Sequence, residues 1–408
     1  MQNADNQSLT TPPTRSSNNK LHKAKENKND EFYTQFVDIQ QEIEKYLEYN
    51  PDTFRGKTVL LPCDDPEWSN FTKYFAEKFE ELGLKKLIST SYAPESKSYP
   101  WNTKPTEWEK NSPLFDWAKN KTRGKIFVLE RDLSGDGRIS HEDIEWHYLD
   151  GDGDFNSEEV RKLRDEADII VTNPPFSLFR PFWAWLWETE KKFLLIANKN
   201  CITYKEVFPF VMTNKVWSGC RPWAGGMWFI SPNDEYVDKV EDGKDLKNVP
   251  SIWITNLEHG RRHQSIPLMT TADIFKFSRH ADLREQGKFL KYDNYDAIEV
   301  PKVDSIPSDY DGIMGVPITF LDKYCPEQFE ILGATQRGCH DNVPDTKKYD
   351  EYLEMKPNGT PTGSKGGKTN ENANLAMNDG KKNYFINPKT GHIVQSAYQR
   401  IFIKHITN

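Results

Sequence analysis

With 408 residues the chain is long enough for two or three domains with ample core. Its five cysteines form no CxxC pair, which argues against a zinc ribbon or a disulfide framework. No apolar run reaches bilayer-spanning length, so we expect a cytoplasmic protein with no membrane partner. The formal net charge is −8, but residues 130–168 alone hold 14 acidic and 5 basic side chains. Because the acidity lies in one segment, it does not exclude a nucleic-acid partner.

The N-terminal region divides into a polar tail and the start of a folded domain. Residues 1–28 are rich in Asn, Gln, Ser, Thr and Lys, a composition that predicts a disordered tail. Residues 30–34 read Asp-Glu-Phe-Tyr-Thr, and apolar side chains then recur at helical spacing from Phe36 to Tyr46. From the residues alone, the run before Phe36 is the N-terminal box of that helix.

The first buried strand is predicted at residues 57–62, which end in Cys63-Asp64-Asp65-Pro66. An amphipathic helix is predicted from Phe71 to Leu82, and a second strand at residues 86–91. A ligand-binding turn after such a strand usually contains glycines, because they let the backbone approach the ligand, and this turn has none. Capping of the next helix by one of the two aspartates is therefore a serious alternative to a binding role.

An acidic insertion at about residues 130–150 contains a near-match to a calcium-binding loop. Such loops take ligands from positions 1, 3, 5, 7 and 12 and carry glycine at position 6. Gly137 fills the sixth position here, and the ligand positions hold Asp132, Ser134, Asp136, Arg138 and Asp143. We weigh a calcium site against a hydrophilic turn that has the same composition.

The most informative stretch is Thr172-Asn173-Pro174-Pro175-Phe176. It follows a short apolar run that predicts a buried strand, and it precedes a predicted helix. Consecutive prolines fix two φ angles and remove two N–H groups, which leaves a stiff loop of carbonyl acceptors. Asn173 adds a side-chain acceptor and Phe176 adds an aromatic face, so the loop can hold a planar –NH2 group and stack on its ring. The alternative is a Pro-Pro turn that merely ends a strand.

Further strands are predicted at residues 193–198, 216–218, 226–230 and 252–257, and we expect them to complete one sheet. A helix is predicted to open at residues 202–207. Beyond Leu257 the pattern changes to short strands and polar loops. Arg261, Arg262 and His263 are candidate DNA contacts in this region.

Several stretches resemble known enzymes. Asn173–Phe176 resembles the Asp/Asn-Pro-Pro-aromatic motif of S-adenosylmethionine-dependent amino-methyltransferases. Residues 291–298 and 312–321 are very close to the EcoRI modification methylase family, and the resemblance covers most of residues 18–335. It implies an α/β fold: a doubly wound, Rossmann-like methyltransferase domain at residues 29–258, followed by a mixed, loop-rich target-recognition domain at residues 259–408.

The resemblance also implies roles for individual residues. The catalytic residues would be Asn173, Pro174, Pro175 and Phe176. The segment at residues 30–34 resembles one that closes over the methionine part of the cofactor in adenine methyltransferases, and the Gly-Asp-Gly-Asp-Phe stretch at residues 151–155 resembles one that binds the cofactor adenine. The cofactor contacts implied in this way, together with those of the first strand turn, are Thr34, Asp64, Asp65, Pro66, Asp154 and Phe155.

These observations predict a site-specific DNA adenine-N6 methyltransferase that uses S-adenosylmethionine and acts on a flipped base in double-stranded DNA. We expect a monomer. It would serve as a modification methylase beside a restriction endonuclease that acts on the same site, or equally as a solitary methylase. One alternative is a protein glutamine methyltransferase, because an amide –NH2 group fits the same acceptors. The other is a DNA-binding or calcium-binding module without activity.

Overall fold

The structure is a computed structural model that describes residues 32–64, 69–93, 110–231, 237–335, 345–397 and 399–406. The predicted disordered tail, Asp65 and Pro66 lie outside these residues. The α-helices are α1 (Phe36–Tyr49), α2 (Asn70–Glu77), α3 (Phe79–Leu82), α4 (Trp117–Thr122), α5 (Glu158–Glu166), α6 (Phe179–Trp187), α7 (Phe208–Met212), α8 (Thr271–Phe277) and α9 (Ala281–Gln286).

The strands are β1 (Tyr33–Thr34), β2 (Thr58–Pro62), β3 (Lys86–Ser91), β4 (Lys125–Leu129), β5 (Glu145–Tyr148), β6 (Ile169–Thr172), β7 (Lys192–Asn198), β8 (Trp217–Ser218), β9 (Met227–Ile230), β10 (Lys239–Glu241), β11 (Lys244–Val249), β12 (Ser251–Thr255), β13 (Leu290–Lys291), β14 (Ala297–Glu299), β15 (Ile313–Pro317), β16 (Phe329–Ala334), β17 (Leu353–Met355), β18 (Asn374–Leu375), β19 (Tyr384–Ile386), β20 (Ile393–Ser396) and β21 (Arg400–His405).

The described chain forms two compact units, and the first comprises the described parts of residues 1–41, 54–197 and 226–249. Its main sheet has the strand order β5-β4-β3-β2-β6-β7. The four strands β3, β2, β6 and β7 are mutually parallel, whereas β4 and β5 are antiparallel to their neighbours. Every residue of β2 and β6 is buried, because helices cover a parallel sheet on both faces.

The chain leaves β2 toward β3 on one side and leaves β6 toward β7 on the other, so the strand order reverses between β2 and β6. A crevice forms at such a reversal, beyond the carboxyl ends of the strands. The strands predicted before Cys63 and before Asn173 are therefore neighbours, and their carboxyl ends share one edge of the sheet.

A second, antiparallel sheet in the first unit has the order β1-β9-β11-β10. Strand β9 pairs with β1 and with β11, so the expectation that residues 226–230 complete the main sheet is wrong. Pairing aligns Thr34 with Phe229. Local sequence patterns predict a strand but not its partner, which here lies far away along the chain.

The second unit comprises the described parts of residues 42–53, 198–225 and 250–408. Strands β8 and β12 pair antiparallel, five strands form a sheet of order β13-β14-β15-β21-β16, and four short strands form a sheet of order β17-β19-β20-β18. The predicted helix at residues 202–207 is instead a 3-10 turn at Lys199–Thr203, with α7 beginning at Phe208.

The chain is thus a mixed α/β protein with several sheets. The predicted limits of a catalytic and a target-recognition domain, at residues 29–258 and 259–408, stay a prediction, because compactness does not reveal which residues bind a ligand. Among the described residues, the helices are too short or too polar to cross a bilayer.

Candidate functional site

The loops that follow β2 and β6 lie at the edge of the first unit's main sheet where the strand order reverses. Cys63 follows β2 with a φ of 78°, a left-handed conformation that non-glycine residues rarely adopt. Asn173 and Pro174 follow β6. Left-handed backbone in non-glycine residues is unfavourable, and it clusters at ligand sites where the surrounding fold holds it in place.

Asp64 is 6 % exposed and connects three elements at this edge. The Thr172 hydroxyl, at the end of β6, lies 2.6 Å from Asp64 Oδ2 and 2.7 Å from the Pro62 carbonyl oxygen. Ser69 Oγ donates to Asp64 Oδ1 at 2.7 Å and also accepts the Phe71 N–H as the N-cap of α2. The carboxylate therefore ties the ends of β2 and β6 to the start of α2.

The side-chain amide of Asn173 is oriented by the backbone of the N-terminal segment. Its Nδ2 donates to the Phe32 carbonyl oxygen at 2.7 Å. If the amide were turned over, its Oδ1 would face the Phe32 carbonyl oxygen and two acceptors would meet. The amide therefore points its Nδ2 toward Phe32 and its Oδ1 away from it. Asn173 Oδ1 is buried and has no hydrogen-bond partner among the described residues. A buried acceptor without a partner is unfavourable by about 1–3 kcal/mol, so this oxygen is a candidate to receive a donor from a bound molecule.

Three phenylalanines pack around the Asn173 loop. The Phe176 ring centroid lies 6.5 Å from that of Phe32 and 6.2 Å from that of Phe229. Phe229 is fully buried, whereas Phe176 remains partly exposed. Phe176 is thus supported from behind and keeps an accessible part, as a stacking platform requires.

The segment that begins at Phe32 is held in place by strand pairing and by two side chains. Asn70 Nδ2 donates to the Thr34 carbonyl oxygen at 2.8 Å, and Gln35 Nε2 donates to the Trp228 carbonyl oxygen at 2.8 Å. Thr34 is 4 % exposed, and its hydroxyl finds no partner in the part of the chain that the structure describes. A second buried polar atom is therefore available beside the Asn173 loop.

The loop at residues 151–155 meets the same edge of the sheet. The Ala93 N–H donates to the Asp152 carbonyl oxygen at 2.7 Å. Gly153 has a φ of 86°, and a Cβ added there would lie 2.3 Å from the Ser91 carbonyl oxygen at the end of β3. Only glycine fits this close approach.

Asp154 and Phe155 occupy the end of that loop, and the contacts of both are intramolecular. Asp154 Oδ1 accepts the Asn156 N–H at 2.7 Å. The Phe155 ring is 7 % exposed and packs edge-on against Phe182 and Trp185 of α6. Their predicted contact with a cofactor adenine stays a prediction.

The structure does not support the calcium loop. Asp132 accepts the backbone N–H groups of Gly135 and Gly137, at 2.7 and 2.9 Å. Asp136 Oδ1 accepts the Arg138 N–H at 2.8 Å. These carboxylates stabilise the turn itself, as aspartates commonly do in Asx turns.

Asp143, the proposed twelfth ligand, closes the same loop. Its carboxylate accepts the backbone N–H groups of Ser134, Ser140 and Leu133, which lower the pKa of the Asp143 carboxyl to about 2. Among the described residues there is no group of three or more His, Cys, Asp or Glu side chains that could hold a metal ion. The structure therefore does not support a calcium site at residues 132–143, and the aspartates stabilise the turn instead.

All three candidate DNA contacts meet carboxylates within the second unit. Arg261 pairs with Asp322 at 2.7 Å, and Arg262 pairs with Glu258 at 2.6 Å and is 7 % exposed. His263 Nε2 lies 3.0 Å from a Glu258 oxygen. A DNA contact by these residues stays an untested prediction. The arginine side chains are only 22 % and 6 % exposed, which leaves them little surface for a phosphate.

Sequence reasoning missed the residues that position the site. Thr172 binds Asp64, Asn70 holds the Thr34 carbonyl, and Gly153 allows its loop to approach β3. The sequence contains one usable signal for them, the Ser69-Asn70 pair directly before an amphipathic helix, which is typical of an N-cap. The other two depend on contacts between distant parts of the chain.

Comparison with known proteins identifies the family of the chain. The family model described as adenine-specific methyltransferase EcoRI matches residues 20–406. The type II methyltransferase M.EcoRI of Escherichia coli is 42 % identical over 321 residues, which cover 77 % of this chain and 89 % of that protein. M.MpnI of Mycoplasma pneumoniae is 33 % identical over 319 residues, 76 % of this chain and 84 % of the relative.

A third type II methyltransferase, M.MgeORF184P of Mycoplasma genitalium, is 32 % identical over 322 residues, 76 % of this chain and 85 % of the relative. No solved structure matches the chain. A mixed α/β chain with these relatives is a methyltransferase. It belongs to the adenine-specific methyltransferase EcoRI family, which confirms the resemblance seen in the sequence.

Proposed function

We propose that the chain transfers a methyl group from S-adenosylmethionine to the exocyclic N6 amine of adenine in duplex DNA. The first unit would be the doubly wound, Rossmann-like catalytic domain, with its site where the strand order reverses between β2 and β6. Residues 259–408 would contain the target-recognition domain.

The observation that carries this proposal is the buried Oδ1 of Asn173, which has no hydrogen-bond partner in the described part of the chain. Its Nδ2 is already engaged by the Phe32 carbonyl oxygen, so the free end of the amide can only accept. An adenine N6 amine supplies the complementary donor. An acceptor fixed before the substrate arrives needs no reorganisation during the reaction.

Asn173 Oδ1 and the Pro174 carbonyl would together accept both N–H groups of the amine. The nitrogen lone pair of an aromatic amine is delocalised into its ring, which makes the amine a weak nucleophile. Two acceptors at fixed positions favour a geometry in which that lone pair leaves conjugation and points at the methyl donor. Pro175 would keep the loop stiff, and the accessible part of the Phe176 ring would stack on the base.

The residues at this edge fit S-adenosylmethionine. The Thr34 hydroxyl is buried without a partner, and Asp64 holds the left-handed turn at Cys63 that follows β2. S-adenosylmethionine supplies an electrophilic methyl group when it is bound. Thr34, Asp64, Asp154 and Phe155 would hold it together with Asp65 and Pro66, which lie outside the described residues.

An N6 amine in a duplex is engaged in base pairing, so the target adenine must leave the helix to reach the Asn173 loop. The energy of unstacking is a few kcal/mol and is offset by contacts to the flipped base and to the DNA backbone. A partner restriction endonuclease and a monomeric state remain predictions that accompany this function.

The test is transfer of labelled methyl from S-adenosylmethionine to unmethylated genomic DNA, followed by base analysis and sequencing. Wild type should produce N6-methyladenine at one sequence. Asn173→Ala should reduce the rate by about 100-fold or more, as expected for the loss of one preorganised hydrogen-bonding group, with cofactor and DNA affinity retained.

Asn120→Ala is the matched control. Asn120 is also buried with an Oδ1 that has no partner among the described residues, but it belongs to α4 and not to the Asn173 loop. This variant should retain activity per folded molecule. Equal loss of cofactor binding in Asn173→Ala would contradict the role assigned to the amide. Label in a protein extract but not in DNA would instead establish a glutamine methyltransferase.

A further inference from the structure

Phe277, the last residue of α8, is 63 % exposed. Single exposed apolar side chains are common on proteins, so exposure alone carries no function. Two further features set Phe277 apart: the backbone on both sides of it is fixed, and cationic side chains flank it.

The backbone around Phe277 is anchored from within the second unit. Ile274, one turn earlier, is fully buried, and the next residue, Ser278, is 3 % exposed. The Ser278 N–H donates to the Ile274 carbonyl oxygen at 3.0 Å, and Arg284 of α9 donates to the Ser278 carbonyl oxygen. Phe277 is therefore presented from a rigid corner between α8 and α9, which lowers the entropy lost when its ring is buried by a ligand.

The helix pair that forms this corner has its own small core. Phe275 of α8 lies 4.9 Å from Phe289, measured between ring centroids, and Leu283 of α9 is 1 % exposed. In α8, Ile274 is buried and Phe275 is half-buried against Phe289, whereas Phe277 takes no part in this packing.

Two cationic side chains are near Phe277 in the chain, and one of them contacts its ring. Lys276 Nζ is 4.9 Å from the Phe277 ring centroid, and the Arg279 side chain is 80 % exposed. Arg279 pairs with Asp304 at 2.7 Å, which holds the guanidinium in place and leaves further N–H groups to donate. An exposed aromatic ring with two cations close by in the chain suits a ligand that carries both negative charges and apolar ring faces. A nucleic-acid duplex is such a ligand.

We propose that Lys276, Phe277 and Arg279 form a DNA contact in which the ring packs against bases or sugars and the two cations bind phosphates on either side. The proposal rests on the proposed function, since it takes the target duplex as the occupant. Exposed aromatic wedges act on DNA in this way by filling or opening a base step. The contact would add affinity for duplex DNA without taking part in the chemistry of the Asn173 loop.

The experiment measures binding to a duplex that contains the sequence methylated by wild type, at several salt concentrations. Phe277→Ala should weaken binding by about tenfold, within the range for loss of one stacked aromatic, with an unchanged salt dependence. The double variant Lys276→Gln and Arg279→Gln should weaken binding and reduce the slope of log affinity against log salt by about 2.

Two controls match these changes elsewhere on the surface. Val240→Ala removes an apolar side chain that is 66 % exposed, and Lys162→Gln removes a cation whose side chain is 73 % exposed. Both should bind DNA as wild type does, and all variants should keep the wild-type unfolding temperature. Wild-type affinity in Phe277→Ala, or an unchanged salt slope in the double variant, would show that the corner is an ordinary solvated surface. If the wild-type protein does not methylate DNA at all, that result overturns the proposed function instead.

Discussion

Glu42 allows a quantitative test of the structure through pH. It lies on α1, is 2 % exposed, and its carboxylate accepts the backbone N–H groups of Cys220 at 2.6 Å and Arg221 at 2.8 Å. Burial raises the pKa of Glu42 from 4.5 to about 7, and the hydrogen bonds and the nearby charge of Arg261 only partly oppose this rise.

The direction of the pH effect follows from proton binding. Between pH 4.5 and about 7 the folded protein keeps a proton on Glu42 that the unfolded chain releases. The contribution of this proton to the free energy of unfolding is therefore fully present below pH 4.5 and is lost as the pH rises through about 7. With 1.36 kcal/mol per pKa unit, the loss between pH 5 and pH 8 is roughly 2.5 kcal/mol.

Glu42→Gln removes this titration while keeping the side-chain length. Its carbonyl can accept only one of the two backbone N–H groups, so the variant should be less stable than wild type by about 1–3 kcal/mol at low pH. The difference should shrink or reverse by pH 8. Burial lowers the pKa of His259, in the same unit, to about 4, which opposes the Glu42 effect, but His259 is present in both proteins and cancels in the comparison.

The assay is urea unfolding followed by tryptophan fluorescence at pH values between 5 and 8, for wild type and variant in parallel. Amide hydrogen exchange of a peptide containing residues 219–221 reports the same contact locally. A difference between wild type and Glu42→Gln that stays constant with pH would refute the raised pKa and the burial that causes it.

Two further substitutions test how the candidate site is positioned. Thr172→Val removes the hydroxyl beside Asp64, so it should destabilise the fold by about 1–3 kcal/mol and raise the KM for S-adenosylmethionine. Thr172→Ser keeps a hydroxyl and should restore both stability and KM. An unchanged KM in Thr172→Val would limit Asp64 to a structural role. Gly153→Ala forces a Cβ against the Ser91 carbonyl oxygen and should destabilise the protein by more than about 2 kcal/mol and weaken cofactor binding, as seen by calorimetry. Gly135 has a φ of 77° and nothing within 4 Å of an added Cβ, so Gly135→Ala measures the effect of backbone strain alone. Equal effects of Gly153→Ala and Gly135→Ala would refute the close approach of Gly153 to the Ser91 carbonyl oxygen.

Local patterns in the sequence were sufficient for the elements that carry the site. The apolar runs before Cys63 and before Asn173 predict β2 and β6, which the structure places at Thr58–Pro62 and Ile169–Thr172. The helical spacing after Phe36 predicts α1. These signals are local, because burial of a strand or of one helix face dictates residue type at fixed intervals.

The same local patterns were misleading where a short motif has two physical explanations. Spaced aspartates can coordinate a cation or accept backbone N–H groups, and at Asp132 and Asp143 the structure shows the second. The DNA contact predicted for Arg261 and Arg262 stays a prediction, although each arginine meets a carboxylate in the fold. Composition alone does not reveal whether a charge already has a partner.

The sequence by itself determined the family, the strand and loop that carry Asn173, and the residue types that can hold an amine. Only the tertiary structure decided how that asparagine points. Phe32, 141 residues away, holds one end of its amide, and the other end meets no partner among the residues that the structure describes. The Thr172–Asp64 contact likewise joins residues 108 apart. Hydrogen bonds between such distant residues depend on which strands become neighbours, and strand order follows from packing of the whole sheet rather than from any local pattern.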